Sequence, residues 1–211
     1  MSEWDKTEIL LERKKQDGEL EWEDGEPHYQ GRHIIRRDSE INQGVYLGGG
    51  PREAIVVDPK YGSVPELYNE AKQLAEQRPG KTKHQAIKSA YDTIQDTLEY
   101  DEEEVQKIVS NYSAKNDVKL PLDKFIEEGF GLCRHQALAT GAVLEQFQEE
   151  GYLTGDISID RNRDEGYGHA WVRYENSSGD VYIVDPTQDV LEPLERTRSE
   201  RWDYSRPEDR I

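Results

Sequence analysis

Between residues 63 and 112 apolar side chains recur at three- and four-residue steps, and beyond Gly155 they recur at two-residue steps. The chain therefore changes from helical to strand periodicity part-way along. Ser63 with Glu66, and Pro65 between them, has the form of a capping box and predicts a helix to about Gln77, stopped by Pro79-Gly80. Thr82 with Gln85 opens a second helix whose stripe is Ile87, Ala90, Tyr91, Ile94 and Leu98. Asp101 with Glu104 opens a third, with Val105, Ile108, Val109 and Tyr112 on one face. The acidic run from Asp101 to Glu104 suits that helix N-terminus, where the dipole and free N–H groups favour carboxylates. Leu122, Phe125 and Ile126 predict one or two apolar turns, and Cys133, Ala137, Thr140, Leu144 and Phe147 a longer helix ending at Gly151. Residues 156–160, 168–174 and 181–186 read as strands. Upstream, Val45-Tyr46-Leu47 and Ala54-Ile55-Val56-Val57 flank Gly48-Gly49-Gly50-Pro51 and predict a short β-hairpin. Helices followed by strands indicate an α+β fold.

The pattern weakens at both ends. Residues 1–44 are expected to form an acidic N-terminal arm, loosely attached and wrapping the core. Residues 45–191 make the main domain, and 192–211 a charged C-terminal extension lying on the surface. Composition then narrows the function. The 211 residues carry 27 Lys+Arg against 45 Asp+Glu, a formal net charge of −18. Neither nucleic acid nor an anionic membrane is an expected partner, because phosphate contacts need a positive footprint. Cys133 is the single cysteine, so neither an intramolecular disulfide nor a Cys-rich zinc site can form. The charged start M-S-E-W-D-K-T-E lacks an apolar signal region, and no 18 apolar residues run together. A reducing cytoplasm is the expected compartment. His28, His33 and His84 have no metal-ligand spacing, and the Gly48–Gly50 run lacks the Lys-Ser/Thr of a phosphate loop. Asp156, Asp160, Asp164 and Glu165 are expected in a solvated loop, the alternative being that, near the predicted cleft, they repel acidic substrates or favour basic ones.

Cys133 falls at a predicted helix start, where unpaired N–H groups and the helix dipole stabilise a thiolate and can also receive an oxyanion. Downstream, the strands His169–Tyr174 and Val181–Asp185 flank a five-residue loop from Glu175 to Gly179. If Tyr174 opposes Asp180, antiparallel pairing sets His169 opposite Asp185. Directly opposed residues share a face. The imidazole can then give one N–H to the carboxylate and turn its other nitrogen to the thiol. A one-residue slip would send the pair to opposite faces.

The stretches G-L-C-R-H-Q-A (131–137), G-H-A-W-V-R-Y (168–174) and Y-I-V-D-P-T (182–187) together resemble the transglutaminase-like superfamily of papain-fold thiol enzymes. The helix at 83–99 ending T-L-E-Y-D is similar to the one preceding the nucleophile motif in bacterial and archaeal members, so the resemblance spans about residues 83–190. It implies a papain-like, transglutaminase-like core in which a helical N-terminal half presents a nucleophile helix packed on an antiparallel sheet. It also implies Cys133 as nucleophile, His169 as general base and acid, and Asp185 as orienting carboxylate. Papain has a Gln six residues before its cysteine as an oxyanion donor. Here that position is Glu127, leaving the second donor open, with Tyr91 and Tyr100 as candidates. Arg134 has no assigned role, and His135 is expected to serve in packing or capping. The expected function is a cysteine-dependent hydrolase of amide or peptide bonds acting on a peptide or protein substrate, with no metal or organic cofactor. The alternatives are a transglutaminase or deamidase acting on Gln side chains, or a non-catalytic binding module.

Overall fold

The switch of periodicity near residue 155 is also the dividing line of the architecture. The computed structural model describes residues 5–49, 52–78, 83–164, 167–197 and 202–209. In chain order its elements are α1 (Asp5–Gln16), β1 (Glu21–Glu23), β2 (Glu26–Tyr29), β3 (Arg32–His33), β4 (Val45–Leu47), β5 (Ala54–Val56), α2 (Ser63–Gln77) and α3 (Lys83–Thr97). There follow β6 (Glu99–Tyr100), α4 (Glu102–Asn111), β7 (Lys119–Pro121), α5 (Asp123–Glu128), β8 (Phe130–Gly131) and α6 (Cys133–Glu149). The chain then forms β9 (Gly155–Asp164), β10 (Tyr167–Asn176), β11 (Val181–Asp185) and β12 (Val190–Pro193). Among the described residues the longer helices all precede residue 150 and the four-stranded antiparallel sheet follows it, but eight short strands in three small sheets lie before and among those helices, a mixed architecture compatible with an α+β fold. Among the described residues no helix is long and apolar enough to cross a membrane.

Helix α6 lies at the centre. Its Ala137, Leu138, Ala142, Val143, Leu144 and Phe147 meet α2 and α3 on one side and the sheet residues Ile157, Ile159, Ala170, Val172 and Val184 on the other. Burial on nearly all sides is what its weak amphipathicity requires. Gly141 permits this closeness, since a Cβ there would stand 2.5 Å from Ile41 Cδ1 and 3.0 Å from Ile159 Cδ1.

The starts of α2 and α4 follow the sequence in position, and that of α2 departs from it in chemistry. Asp101 caps α4 by accepting from the N–H groups of Glu103 and Glu104, as predicted. At α2 the Ser63–Glu66 box does not form. Ser63 is already helical and buried, and its N–H and that of Val64 donate to Asp123 Oδ1 at 2.7 and 3.3 Å. A distant carboxylate thus replaces the local cap, because Gly62, at φ +75°, turns the first N–H groups toward α5. Thr82 and Pro79-Gly80 lie outside the described residues. The hairpin of β4 and β5 forms as predicted and gains β7 as a parallel neighbour of β5.

The N-terminal segment is not loosely attached. Leu11, Tyr29 and Ile34 are buried with Val45, Leu47, Ala54 and Val56, and Ile35 and Ile41 enter the main core. The N–H groups of Ile41 and Asn42 donate to the Glu145 carboxylate of α6 at 2.8 and 2.7 Å.

The antiparallel sheet has the order β12-β11-β10-β9. Its register corrects the predicted hairpin by two residues: Tyr174 opposes Tyr182, and Val172 opposes Val184. The reason is a tighter turn. Asn176 N donates to Asp180 O at 3.0 Å, and the Asn176 side-chain oxygen accepts from the N–H groups of Ser178 and Asp180. Only Ser177, Ser178 and Gly179 remain in the loop, with Gly179 at φ +84°, as a three-residue hairpin requires.

The C-terminal extension is likewise more than a surface layer. Strand β12 pairs with β11, and Trp202 and Tyr204 bury themselves with Trp171 and Ile183 on the sheet face opposite α6. Of the acidic residues expected in a solvated loop, Asp156 and Asp160 also fall in the strand predicted at 156–160, and the strand is what forms. Asp156 and Asp160 lie in β9, where Asp160 is fully buried against Arg206, whereas Glu165 lies outside the described residues.

Candidate active site

Cys133 is the first residue of α6, after an extended Leu132 at φ −101° and ψ 175°. The first intrahelical bond runs from His135 N to Leu132 O, so the Cys133 and Arg134 N–H groups belong to the open positive end of the helix. The conspicuous Arg134 and His135 hold that end in place. Glu53, at the entry to β5, accepts from Arg134 Nε at 2.9 Å, Arg134 Nη2 at 2.6 Å and His135 Nε2 at 3.1 Å. His135 Nδ1 accepts from Leu132 N at 2.9 Å, and its ring stacks on Phe125 at 3.8 Å. His135 is thus a cap, as expected. Its burial and the neighbouring Arg134 push it down to about 4, so the ring is neutral and its tautomer is set by the two bonds. Glu53 is held down at about 2: burial opposes this, and the bonds and charges of His135 and Arg134 outweigh it.

Strand β10 brings the imidazole to the thiol. Its pairing with β11 covers Val172 to Glu175, so β11 leaves the edge from Gly168 to Trp171 open. Cys133 occupies that gap, with Sγ 4.0 Å from Gly168 O and within hydrogen-bonding reach of the Ala170 N–H and of His169. The thiol is half-buried, whereas His169 and Asp185 are buried. His169 Nε2 donates to Asp185 Oδ2 at 2.5 Å, which leaves Nδ1 for the sulfur. Burial alone would lower His169, but the hydrogen bonds to Asp185 and Cys133 outweigh it and raise the imidazole to about 9. Burial alone would raise the Cys133 thiol, and His169, the Ala170 N–H and Arg134 bring it net below its ordinary value. Both directions favour a thiolate–imidazolium pair.

The three residues singled out in the sequence are therefore brought together. Around them stand groups that sequence reasoning missed. Asp185 begins a 3-10 turn (Pro186–Gln188) and accepts from Gln188 N at 3.3 Å. That turn is tied to α3 by Gln95 Nε2 donating to Pro186 O at 3.2 Å, and to α6 by Thr187 Oγ1 donating to Gln136 Oε1 at 2.6 Å. Trp202 stacks on His169 with centroids 4.8 Å apart, and the Tyr204 hydroxyl donates to Asp185 Oδ2 at 2.8 Å. The available signal was two aromatics at alternate positions in an otherwise polar tail.

Of the two candidate oxyanion donors, Tyr100 pairs opposite Gly131, two residues before Cys133. Tyr91 is buried on α3, and burial with the charges of Asp189, Asp92 and Asp185 pushes its phenol up to about 12. Glu127 is exposed on α5 and bonded to Lys124 at 2.6 Å. Among the described residues no group of three or more His, Cys, Asp or Glu side chains is arranged to hold an ion.

The sequence matches no family model. It also matches no curated protein. Among solved structures, the crystal structure of a TGase is similar at a TM-score of 0.41 and 18 % identity, over 67 % of this chain and 34 % of that one. The chain thus spans about a third of that structure's length.

Proposed function

We propose that this chain is a cysteine-dependent hydrolase of amide or peptide bonds, with a papain-like, transglutaminase-like core and Cys133, His169 and Asp185 as its triad. One observation carries the reading: His169 gives Nε2–H to Asp185 and keeps Nδ1 for a thiol that sits on a helix N-terminus. That arrangement supplies a nucleophile, a proton carrier and an orienting acid side by side.

The Cys133 thiolate adds to the substrate carbonyl, and negative charge moves to the carbonyl oxygen. The Cys133 N–H at the positive end of α6 is placed to stabilise it, and Tyr100, beside Gly131, is the candidate for the second donor. His169 then passes its proton to the departing amine as the carbon–nitrogen bond breaks and a thioester forms. Water, losing a proton to His169, attacks the thioester and releases the acid and the thiolate. Water needs no dedicated acceptor pocket, which favours hydrolysis over amine transfer. The substrate is a peptide or protein, and the steps need no metal or organic cofactor.

The test is to incubate the protein with pools of peptides and measure its intact mass after rapid acid quench. The expected result is an acyl adduct on Cys133 that hydroxylamine removes and Cys133→Ala abolishes. An added amine that captures the acyl group would redirect the reading to transamidation, and ammonia release from Gln side chains to deamidation. Absence of any adduct, with Cys133 alkylating like free cysteine, would overturn it.

A further inference from the structure

The segment after residue 201 runs across the sheet face opposite α6 with alternate side chains turned inward. Trp202 lies flat on the His169 ring, with planes 24° apart. Tyr204, 3 % exposed, packs its ring edge-on against Trp171 at 4.9 Å and donates to Asp185 Oδ2 at 2.8 Å. Arg206 is buried and bonds Asp160 Oδ1 at 2.6 Å, Asp160 Oδ2 at 2.8 Å, Ser158 Oγ at 2.9 Å and Asp38 Oδ1 at 2.8 Å. Period-two alternation in an extended segment aims all three at the sheet. The first covers the imidazole, the second binds the acid, and the third fixes the segment to β9 and to the N-terminal segment.

We infer that Tyr204 is a positioning residue for the reaction proposed above, acting through Asp185 to set how the acid is aimed and how tightly it holds the imidazolium. The inference rests on that reaction. Asp185 Oδ2 accepts two bonds, from Tyr204 and from His169. Two donors divide the charge of one oxygen, so the phenol moderates the hold of the acid on the imidazole. Without it, His169 keeps its proton more firmly and gives it up less readily to a departing amine.

The titratable groups facing Asp185 are His169 of β10, Tyr204 and Tyr91 of α3. Beyond the imidazole stands Cys133 of α6, with Arg134 acting on it. Asp189, bonded to Gln95 at 2.5 Å, acts on Tyr91.

The test is the rate of Cys133 alkylation by iodoacetate from pH 5 to pH 10, with the His169 ring titrated by NMR. Iodoacetate is anionic and favours the form that carries the imidazolium. In folded Tyr204→Phe the upper inflection of the rate and of the ring is expected to move up by about half to one pH unit. A purely structural role would not move it. A second measurement uses wild-type protein labelled with carbon-13 at tyrosine Cζ. There the Tyr204 resonance, assigned through its contact with Trp171, is expected to follow the His169 inflection. An unmoved inflection in Tyr204→Phe, or a Tyr204 resonance flat through the His169 inflection, overturns the role of Tyr204 alone. A wild-type Cys133 that alkylates no faster at pH 6 than free cysteine removes the reaction itself, and this role with it.

Discussion

Asp185 holds His169 along a diagonal of the sheet. Continuing the pairing of Val172 with Val184 by one residue sets Asp185 beside Trp171, yet its Oδ2 accepts from His169 Nε2 at 2.5 Å. Residues two apart on a strand share a face, so a diagonal partner remains in reach where a directly opposed one is displaced. The diagonal also matters for access. It leaves the β10 edge from Gly168 to Trp171 unpaired on the β11 side, and Cys133 enters there.

Asp185→Asn keeps an acceptor for Nε2–H and removes the charge that favours the imidazolium. The His169 inflection is expected to fall from about 9 toward the ordinary 6.5, read by NMR titration of the ring. A raised histidine contributes stability that is complete below 6.5 and lost as pH rises through about 9. The variant should therefore show a flatter stability profile across that window, read by chemical denaturation.

His169→Ala should slow Cys133 alkylation by iodoacetamide at pH 6 by about tenfold to a hundredfold. The thiol is held below its ordinary value and the imidazole above its own, so the ion pair persists between the two. Wild-type alkylation is then expected to become fast at a pH below the ordinary thiol range and to stay fast up to the His169 inflection at about 9. Equal rates in the two proteins at pH 6 would show that the contact does not activate the sulfur.

Acid should loosen the anchor of α6 in two stages. His135 stays neutral in the folded chain down to about 4 against an ordinary 6.5, so the unfolded chain binds more protons and stability falls as pH drops between those values. Glu53, at about 2 against an ordinary 4.5, adds a second loss below 4.5. Removing one partner of a buried pair leaves the other uncompensated, so Glu53→Gln should destabilise the protein by about 3 kcal/mol at pH 7. Urea unfolding at a series of pH values checks both.

Arg206→Met should destabilise by about 3–5 kcal/mol, because Asp160 would remain as an unpaired buried carboxylate. The double variant Arg206→Met/Asp160→Asn should recover a large part of that loss. Loss of the anchor should also free Trp202 from His169, seen as a red-shifted tryptophan emission.

How much of this was legible from the chain depended on distance. The helix from Cys133, the three strands and the cap at Asp101 are encoded within a few residues by periodicity and capping chemistry, and they appear where the pattern places them. The shared face of His169 and Asp185 was legible for the same reason. A two-residue shift of register preserves the face, so the contact tolerated the misread turn at Asn176. Glu53 binding Arg134 and His135, and Asp123 capping α2, involve partners 59 or more residues apart and carry no local signature.

By itself, then, the sequence determined the kinds of element, their order, and the chemistry of the groups on offer: one thiol at a helix start, and an imidazole and an acid on adjacent strands. Only the tertiary structure decided the diagonal pairing, the open strand edge that admits the sulfur, and the tail of Trp202, Tyr204 and Arg206 that covers the pair from behind. The physical reason is that secondary structure answers to near neighbours. Which polar groups are buried together depends instead on how distant surfaces exclude water, and those surfaces meet only when the whole chain has folded.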